Sequence, residues 1–228
     1  MTDVASRFNL TKAEETLDRF LLQKGLRTAP TLRASLAVDI SGSMQSIFAR
    51  GDAQRTVNQT VPVALKFDDN GELELFKFDD RCEYVGVVTR DNFETFLRDN
   101  RVSPRGGTNY APIVRTTLNH FFGGTEPGSK GGLFSKAKPS GEPTLVQIVT
   151  DGECSDAREA EKAFVDAQAY NIYYQFIAVG KANFRTIKHL SDKLPNVGDV
   201  YLRDFGMTED QVYAQVVSDE LVSWLKKN

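Results

Sequence analysis

A doubly wound α/β fold, with a mainly parallel sheet of about six strands and helices on both faces, is what this sequence predicts. Three observations carry that prediction. Leu32 to Ile40, "TLVQIVT" at 144–150 and "IYYQFIAVG" at 172–180 are predominantly apolar runs. Strands covered on both faces read this way, without alternation. Segments of helical period lie between the runs, as parallel connections require. The first two strands also lead directly into aspartates, Asp39 and Asp151, at the sheet edge where such folds bind ligands.

The elements follow in order. A helix over Thr11 to Lys24 opens the chain, with Thr11 as N-cap and Gly25 at its end. Its apolar side is Ala13, Leu17, Phe20, Leu21 and Leu22. Leu32 to Ile40 is the first strand. From Ser43 to about Phe67 the pattern is helical, broken near Gly51 and kinked or restarted at Pro62. "DDNG" at 68–71 is a turn, and "ELELFKF" at 72–78 alternates as a half-exposed strand does. A short strand follows around Cys82 to Val88, then a short helix from Thr89 or Asp91, then the glycine-bearing loop "SPRGGTNYAP". Ala111 to Phe122 is helical. Residues 123–143, rich in Gly, Pro, Ser and Lys, make a long flexible loop. After the strand at 144–150 come a helix over Ala157 to Tyr170, the strand at 172–180, a helix over Phe184 to Leu194 and a last strand, "DVYLRD". One closing helix, Thr208 to Lys227, offers Val212, Val216, Leu221, Trp224 and Leu225 to the core. Residues 1–29 form an N-terminal helical extension and 30–228 a single domain.

The bulk numbers exclude several classes. With 228 residues, 40% hydrophobic and 26% charged, the chain suits one compact globular domain plus a short extension. Net charge is −3, and no basic run is long enough for a nucleic-acid groove. No apolar stretch reaches the roughly 20 residues that cross a bilayer, and the N-terminus has no apolar core of a secretory signal. Cys82 and Cys154 form neither a disulfide framework nor a CxxC pair, so a reducing cytoplasm is expected.

Three pieces should meet at the carboxyl edge of the sheet: Asp39-x-Ser41-x-Ser43, Thr108 in the "GGT" loop, and Asp151 in "TDGE". In an extended backbone alternate residues face the same way, so Asp39, Ser41 and Ser43 converge. Gly42 and Gly152 let the chain turn beside them. Two carboxylates and three hydroxyls are hard donors, suited to Mg²⁺, Mn²⁺ or Ca²⁺ over Zn²⁺. Hydroxyls are neutral, weak donors, and an ion so held keeps an appetite for one more anionic oxygen.

"DISGS", Thr108 and "TDG" together resemble the metal-ion-dependent adhesion site (MIDAS) of von Willebrand factor A (vWA) domains, in the expected order over roughly residues 30 to 226. "FDDNGELELFKFDD" and "RGGTNYAP" resemble the intracellular copine-like group, which includes tellurium-resistance proteins of the TerF type. The resemblance implies that Ser41, Ser43 and Thr108 touch the metal and that Asp39 and Asp151 bind it directly or through water. It also implies a non-enzymatic module whose protein ligand supplies a carboxylate to the ion, with no membrane span, and a place in tellurium resistance or stress response.

Other readings compete for the same residues. The bland account of Asp39 and Asp151 is helix capping. A haloacid-dehalogenase-type phosphatase would use Asp39 as nucleophile and Asp151 with Asp156 as the late acidic pair, but Ser41 stands where its general acid belongs. "RGD" at 50–52 reads as a helix break, His120 and His189 as surface side chains, and Cys154 as a packing residue. The acids at 68–70 and 79–80 read as turn formers. The lysines at 130, 136 and 138 belong to a solvated linker on the face away from the metal.

Overall fold

The computed structural model describes residues 9–28, 30–68, 70–123 and 142–228. The apolar runs become the sheet centre: Arg33–Asp39 (β1), Thr144–Thr150 (β4) and Ile172–Val179 (β5), the last two buried throughout. Leu73–Phe78 (β2) lies beside β1, and Cys82–Val88 (β3) closes that edge. Val197–Leu202 (β6) closes the other, giving the order β3-β2-β1-β4-β5-β6. Every pairing is parallel except β2 with β3. The chain therefore runs outward from β1 in one direction, then restarts at β4 in the other. The crevice between the carboxyl ends of β1 and β4 is the switch point of the fold.

Helices cover both faces. Leu10–Gln23 (α1), Asp52–Phe67 (α3), Glu209–Val216 (α8) and Asp219–Leu225 (α9) pack on one core, in which Leu17, Leu36, Val57, Val149 and Leu221 are fully buried. Ala111–Phe122 (α5), Ala157–Ala167 (α6) and Arg185–Lys193 (α7) pack on the other, around Phe76, Ile113, Ile148 and Phe176. Helix α1 lies against α3 and α8 and so packs on its own chain. Among the described residues no helix is long and apolar enough to cross a membrane.

Several local expectations are corrected. Helix α1 starts at Leu10 because Asn9, not Thr11, caps it through the Lys12 N–H at 3.0 Å. Leu22 points to solvent, 56% exposed, and Phe20 is only partly buried. The break expected near Gly51 does occur: the helical stretch after Ser43 splits there into Gln45–Ala49 (α2) and α3, at a φ of +77° that few residues other than glycine adopt. Pro62 does not restart α3; the helix runs through it because Val61, Pro62 and Val63 are all buried, and packing overrides propensity. Residues 90–95 form turns, tied by an Asn92 side chain that accepts from the Thr89 N–H, so only Phe96–Asp99 (α4) is helical there. The closing helix is two, because Ser218 is extended and its hydroxyl caps α9 at the Leu221 N–H.

Most of the loop expected at 123–143, with its three lysines, lies outside the described residues. Its flanks meet at the amino edge of the sheet. Arg33 there donates to the carbonyls of Phe121 at 2.7 Å and Glu142 at 3.3 Å.

Candidate metal centre

Strand β1 delivers Asp39 to the switch point as a fully buried side chain. Its Oδ1 accepts from the Ser41 N–H at 2.7 Å and its Oδ2 from the Thr150 hydroxyl at 2.5 Å, so the last residue of β4 braces the last residue of β1. Beyond Asp39 the chain leaves the sheet. Ser41 is extended, and a single 3₁₀ turn, Gly42–Met44, follows. That geometry sets the Ser41 and Ser43 hydroxyls 3.0 Å apart. The Ser43 hydroxyl in turn donates to Asp151 Oδ1 at 2.7 Å. Four of the five expected residues are thereby linked in one hydrogen-bonded series, from buried Asp39 through the Ser41 N–H and the two serine hydroxyls to Asp151.

Thr108 reaches the same edge by its backbone. The Gly42 N–H donates to the Gly106 carbonyl at 3.0 Å, and the Ser155 N–H to the Thr108 carbonyl at 2.8 Å. The Thr108 loop thus spans from the β1 loop to the β4 loop, with Thr108 itself buried. Among the described residues its hydroxyl has no hydrogen-bond partner.

Burial governs the charge. It pushes the Asp39 carboxyl up to about 6, against the pull of the hydrogen bonds from Ser41 and Thr150. Burial also raises the Asp151 carboxyl. Asp39 is fully buried and Asp151 partly so, and a cation between them would offset both charges. Among the described residues no three His, Cys, Asp or Glu side chains gather as a metal cluster, so an ion here needs the hydroxyls as well. An all-oxygen set of this kind fits a hard divalent cation. Burial sends the Cys154 thiol up to about 12, which keeps it a packing group.

A family model described as the vWA found in the TerF C terminus matches residues 31–228. The chain belongs to the vWA-TerF-like family. It is 24% identical over 220 residues to YcbR, an uncharacterized protein of Bacillus subtilis (strain 168), over 92% of this chain and 84% of that one. Its fold is similar to proximal thread matrix protein 1 of the mussel byssus, with TM-score 0.59 and 13% identity over 84% of this chain and 48% of that one. A von Willebrand factor type A structure from Catenulispora acidiphila gives TM-score 0.57 and 13% identity, over 85% and 43%. The mussel protein has also been solved with a zinc-occupied MIDAS motif, with TM-score 0.53 and 14% identity over 81% and 46%. The chain spans less than half the length of these solved proteins. vWA domains are generally interaction modules and not enzymes.

This vWA-TerF-like chain holds its site with residues that sequence reasoning passed over. Asp79 and Asp80, read as turn formers, clamp the Thr108 loop. Asp79 Oδ2 accepts from Arg105 Nε at 2.9 Å, its carbonyl from the Asn109 N–H at 3.0 Å, and Asp80 Oδ2 from the Gly107 N–H at 3.0 Å. A Cβ on Gly107 would lie 2.6 Å from Asp80 Oδ1, so "GG" permits the close approach. Asp156 accepts from the N–H groups of Tyr110 at 2.9 Å and Ala111 at 2.8 Å, capping α5 just after Thr108. Both its oxygens are engaged there, so Asp156 has a structural role at the start of α5. Glu153 similarly accepts from the Thr186 N–H at the start of α7, at 3.0 and 3.3 Å. A strand-terminal Thr before an Asp, and an acid spaced to cap the preceding helix, are the only sequence signals for Thr150 and Asp156. Two of the bland readings stand: Arg50 pairs with Asp52 across the α2–α3 break, and Asp68 accepts from the Asn70 and Glu72 N–H groups in its turn.

Proposed function

We propose that the chain is a non-enzymatic protein-binding module that works through a bound divalent cation, held by Asp39, Ser41, Ser43, Thr108 and Asp151. Residues 30–228 form the vWA domain and 1–29 its N-terminal helical extension, acting in the cytoplasm in tellurium resistance or stress response. The observation that carries this reading is the hydrogen-bonded series Asp39–Ser41–Ser43–Asp151 at the switch point of a vWA fold. The zinc-occupied MIDAS of a fold relative supports a cation there, and the hard donor set favours Mg²⁺, with Mn²⁺ or Ca²⁺ as substitutes. When bound, the ion offers a coordination position to a carboxylate from the partner protein. The chain's own residues orient it: Thr150 and the Ser41 N–H fix Asp39, and the Asp79–Asp80 and Asp156 clamps hold the Thr108 loop. A pull-down with Mg²⁺, with EDTA, and with Asp39→Ala tests the bridge. Partner recovery is expected in the first alone; equal recovery in all three defeats the reading.

The raised Asp39 carboxyl adds a pH signature. Its native value of about 6 exceeds the ordinary 3.8, so the folded state keeps a proton that the unfolded chain has already released. Through this group, metal-free stability falls as pH rises from about 4 to about 6 and is level above. Mg²⁺ needs the ionised carboxylate and must displace that proton. The Mg²⁺-induced rise in Tm is therefore expected to be small near about pH 5 and to plateau above about pH 6.5. A rise of equal size across that range would place the ion elsewhere.

A further inference from the structure

Beyond Asp151 the carboxyl edge continues over β5 and β6. The loop after β5, the first turns of α7 and the residue after β6 enclose an open cleft of about 770 Å³. Its floor is Phe184 against Tyr201, ring centroids 5.6 Å apart. Lys181, Arg185 and Arg203 stand around it, all exposed. The Arg203 guanidinium lies 5.6 Å from the Tyr201 ring centroid. The cleft's Lys188 is paired with Asp192 at 2.6 Å. Among the described residues, Lys181, Arg185 and Arg203 have no carboxylate within ion-pair distance. Three unpaired cations gathered on one small surface of a chain with net charge −3 repel one another, and an anion relieves them.

The cleft is coupled to the candidate metal centre by position. β4, β5 and β6 are parallel neighbours, so their loops share one edge. Glu153, two residues past Asp151, holds the start of α7 through the Thr186 N–H. Two inter-strand spacings separate β4 from β6, on the order of 10 Å, which an extended peptide covers in about three residues.

We propose that Lys181, Arg185 and Arg203 form the second half of the ligand-binding surface, and that the partner segment is an extended acidic peptide. One of its carboxylates lies at the metal and a second, about three residues along, in the basic cleft. This inference rests on the proposed metal-dependent reading and adds the chemistry of the partner. A single metal–carboxylate contact does not distinguish among the many acids a proteome exposes. A second acid at a fixed distance supplies specificity, and the three cations steer such segments to the edge.

Fluorescence anisotropy with labelled hexaglutamate tests it, using the full chain with Mg²⁺ or EDTA and the triple variant Lys181→Glu/Arg185→Glu/Arg203→Glu. All three side chains are exposed, so the variant is expected to keep the fold. The Mg²⁺-induced Tm shift, measured without peptide, reads the metal centre separately and is expected to be unchanged in the variant. Hexaglutamate is expected to bind with Mg²⁺ only and to lose roughly tenfold or more in affinity in the variant. Magnesium-dependent binding untouched by the charge reversal overturns the cleft's role and leaves the metal reading standing. Binding that survives EDTA overturns the two-part surface, as does no binding to the magnesium-loaded parent. Equal affinity for a ten-nucleotide oligothymidylate reassigns the cleft to phosphate backbones and overturns the acidic peptide. Loss of the Tm shift in the parent is failure of the metal reading itself.

Discussion

Asp39→Asn is expected to weaken Mg²⁺ binding by roughly a hundredfold or more while leaving the metal-free protein as stable as the parent, or more stable. The two effects have one origin. Asp39 is fully buried, and at neutral pH its ionised form is held against burial that lifts the carboxyl to about 6. Two units above the ordinary value correspond to roughly 3 kcal/mol of native-state cost at pH 7. The amide keeps the shape. Its oxygen still accepts from the Ser41 N–H, and its nitrogen donates to the Thr150 hydroxyl, which can turn to accept. Removing the charge should then stabilise the metal-free fold by about 1–2 kcal/mol, the full relief being reduced by weaker, uncharged hydrogen bonds. The same change removes half of the site's negative charge, and outer partners of metal ligands alone are worth about 10–100-fold in affinity. Calorimetric Mg²⁺ titration together with urea unfolding reads both. A variant that loses stability and metal affinity together would mean that Asp39 is a structural acid.

Asp156→Ala should do the reverse, costing fold stability first and metal affinity second. Its carboxylate satisfies the N–H groups of Tyr110 and Ala111, both residues buried, at the start of a helix with no other side-chain cap. Two buried donors left without partners cost about 3 kcal/mol together. The loop carrying Thr108 ends at that cap, so Mg²⁺ affinity should fall by roughly tenfold, as for a lost outer partner. Asp156→Asn, which keeps one acceptor oxygen, should lie between parent and alanine in urea unfolding. An alanine variant within about 0.5 kcal/mol of the parent would show that α5 starts without this acid.

The parts of this account that were legible in the sequence are those where one segment declares itself. β1, β4 and β5 are mostly apolar runs because parallel central strands meet core on both faces. Asp39, Ser41 and Ser43 share one direction because alternation puts them there. The clamps were not legible, because their meaning is tertiary. Asp79 and Asp80 look like any acidic turn until the glycines of the Thr108 loop are seen beside them. Asp156 caps a helix that begins some 45 residues earlier in the chain. Thr150 looks like one more β-branched residue in a buried strand, and only the β1–β4 pairing shows its hydroxyl on Asp39. Local competition explains the rest. Ser218 offers a side-chain cap where apolar period alone would carry one helix through, and Asn9 out-competes Thr11 because it precedes the first helical N–H groups.

The central claim is that oxygens from three separated segments hold one hard cation at the β1–β4 switch point. Anomalous diffraction from crystals grown with Mn²⁺ tests it most directly. A single peak within about 2.1–2.2 Å of the Ser41 and Ser43 hydroxyls, with Thr108 or Asp151 completing the shell, is the expected result. No peak between the β1 and β4 loops at saturating Mn²⁺, or one confined to surface carboxylates elsewhere, would contradict it.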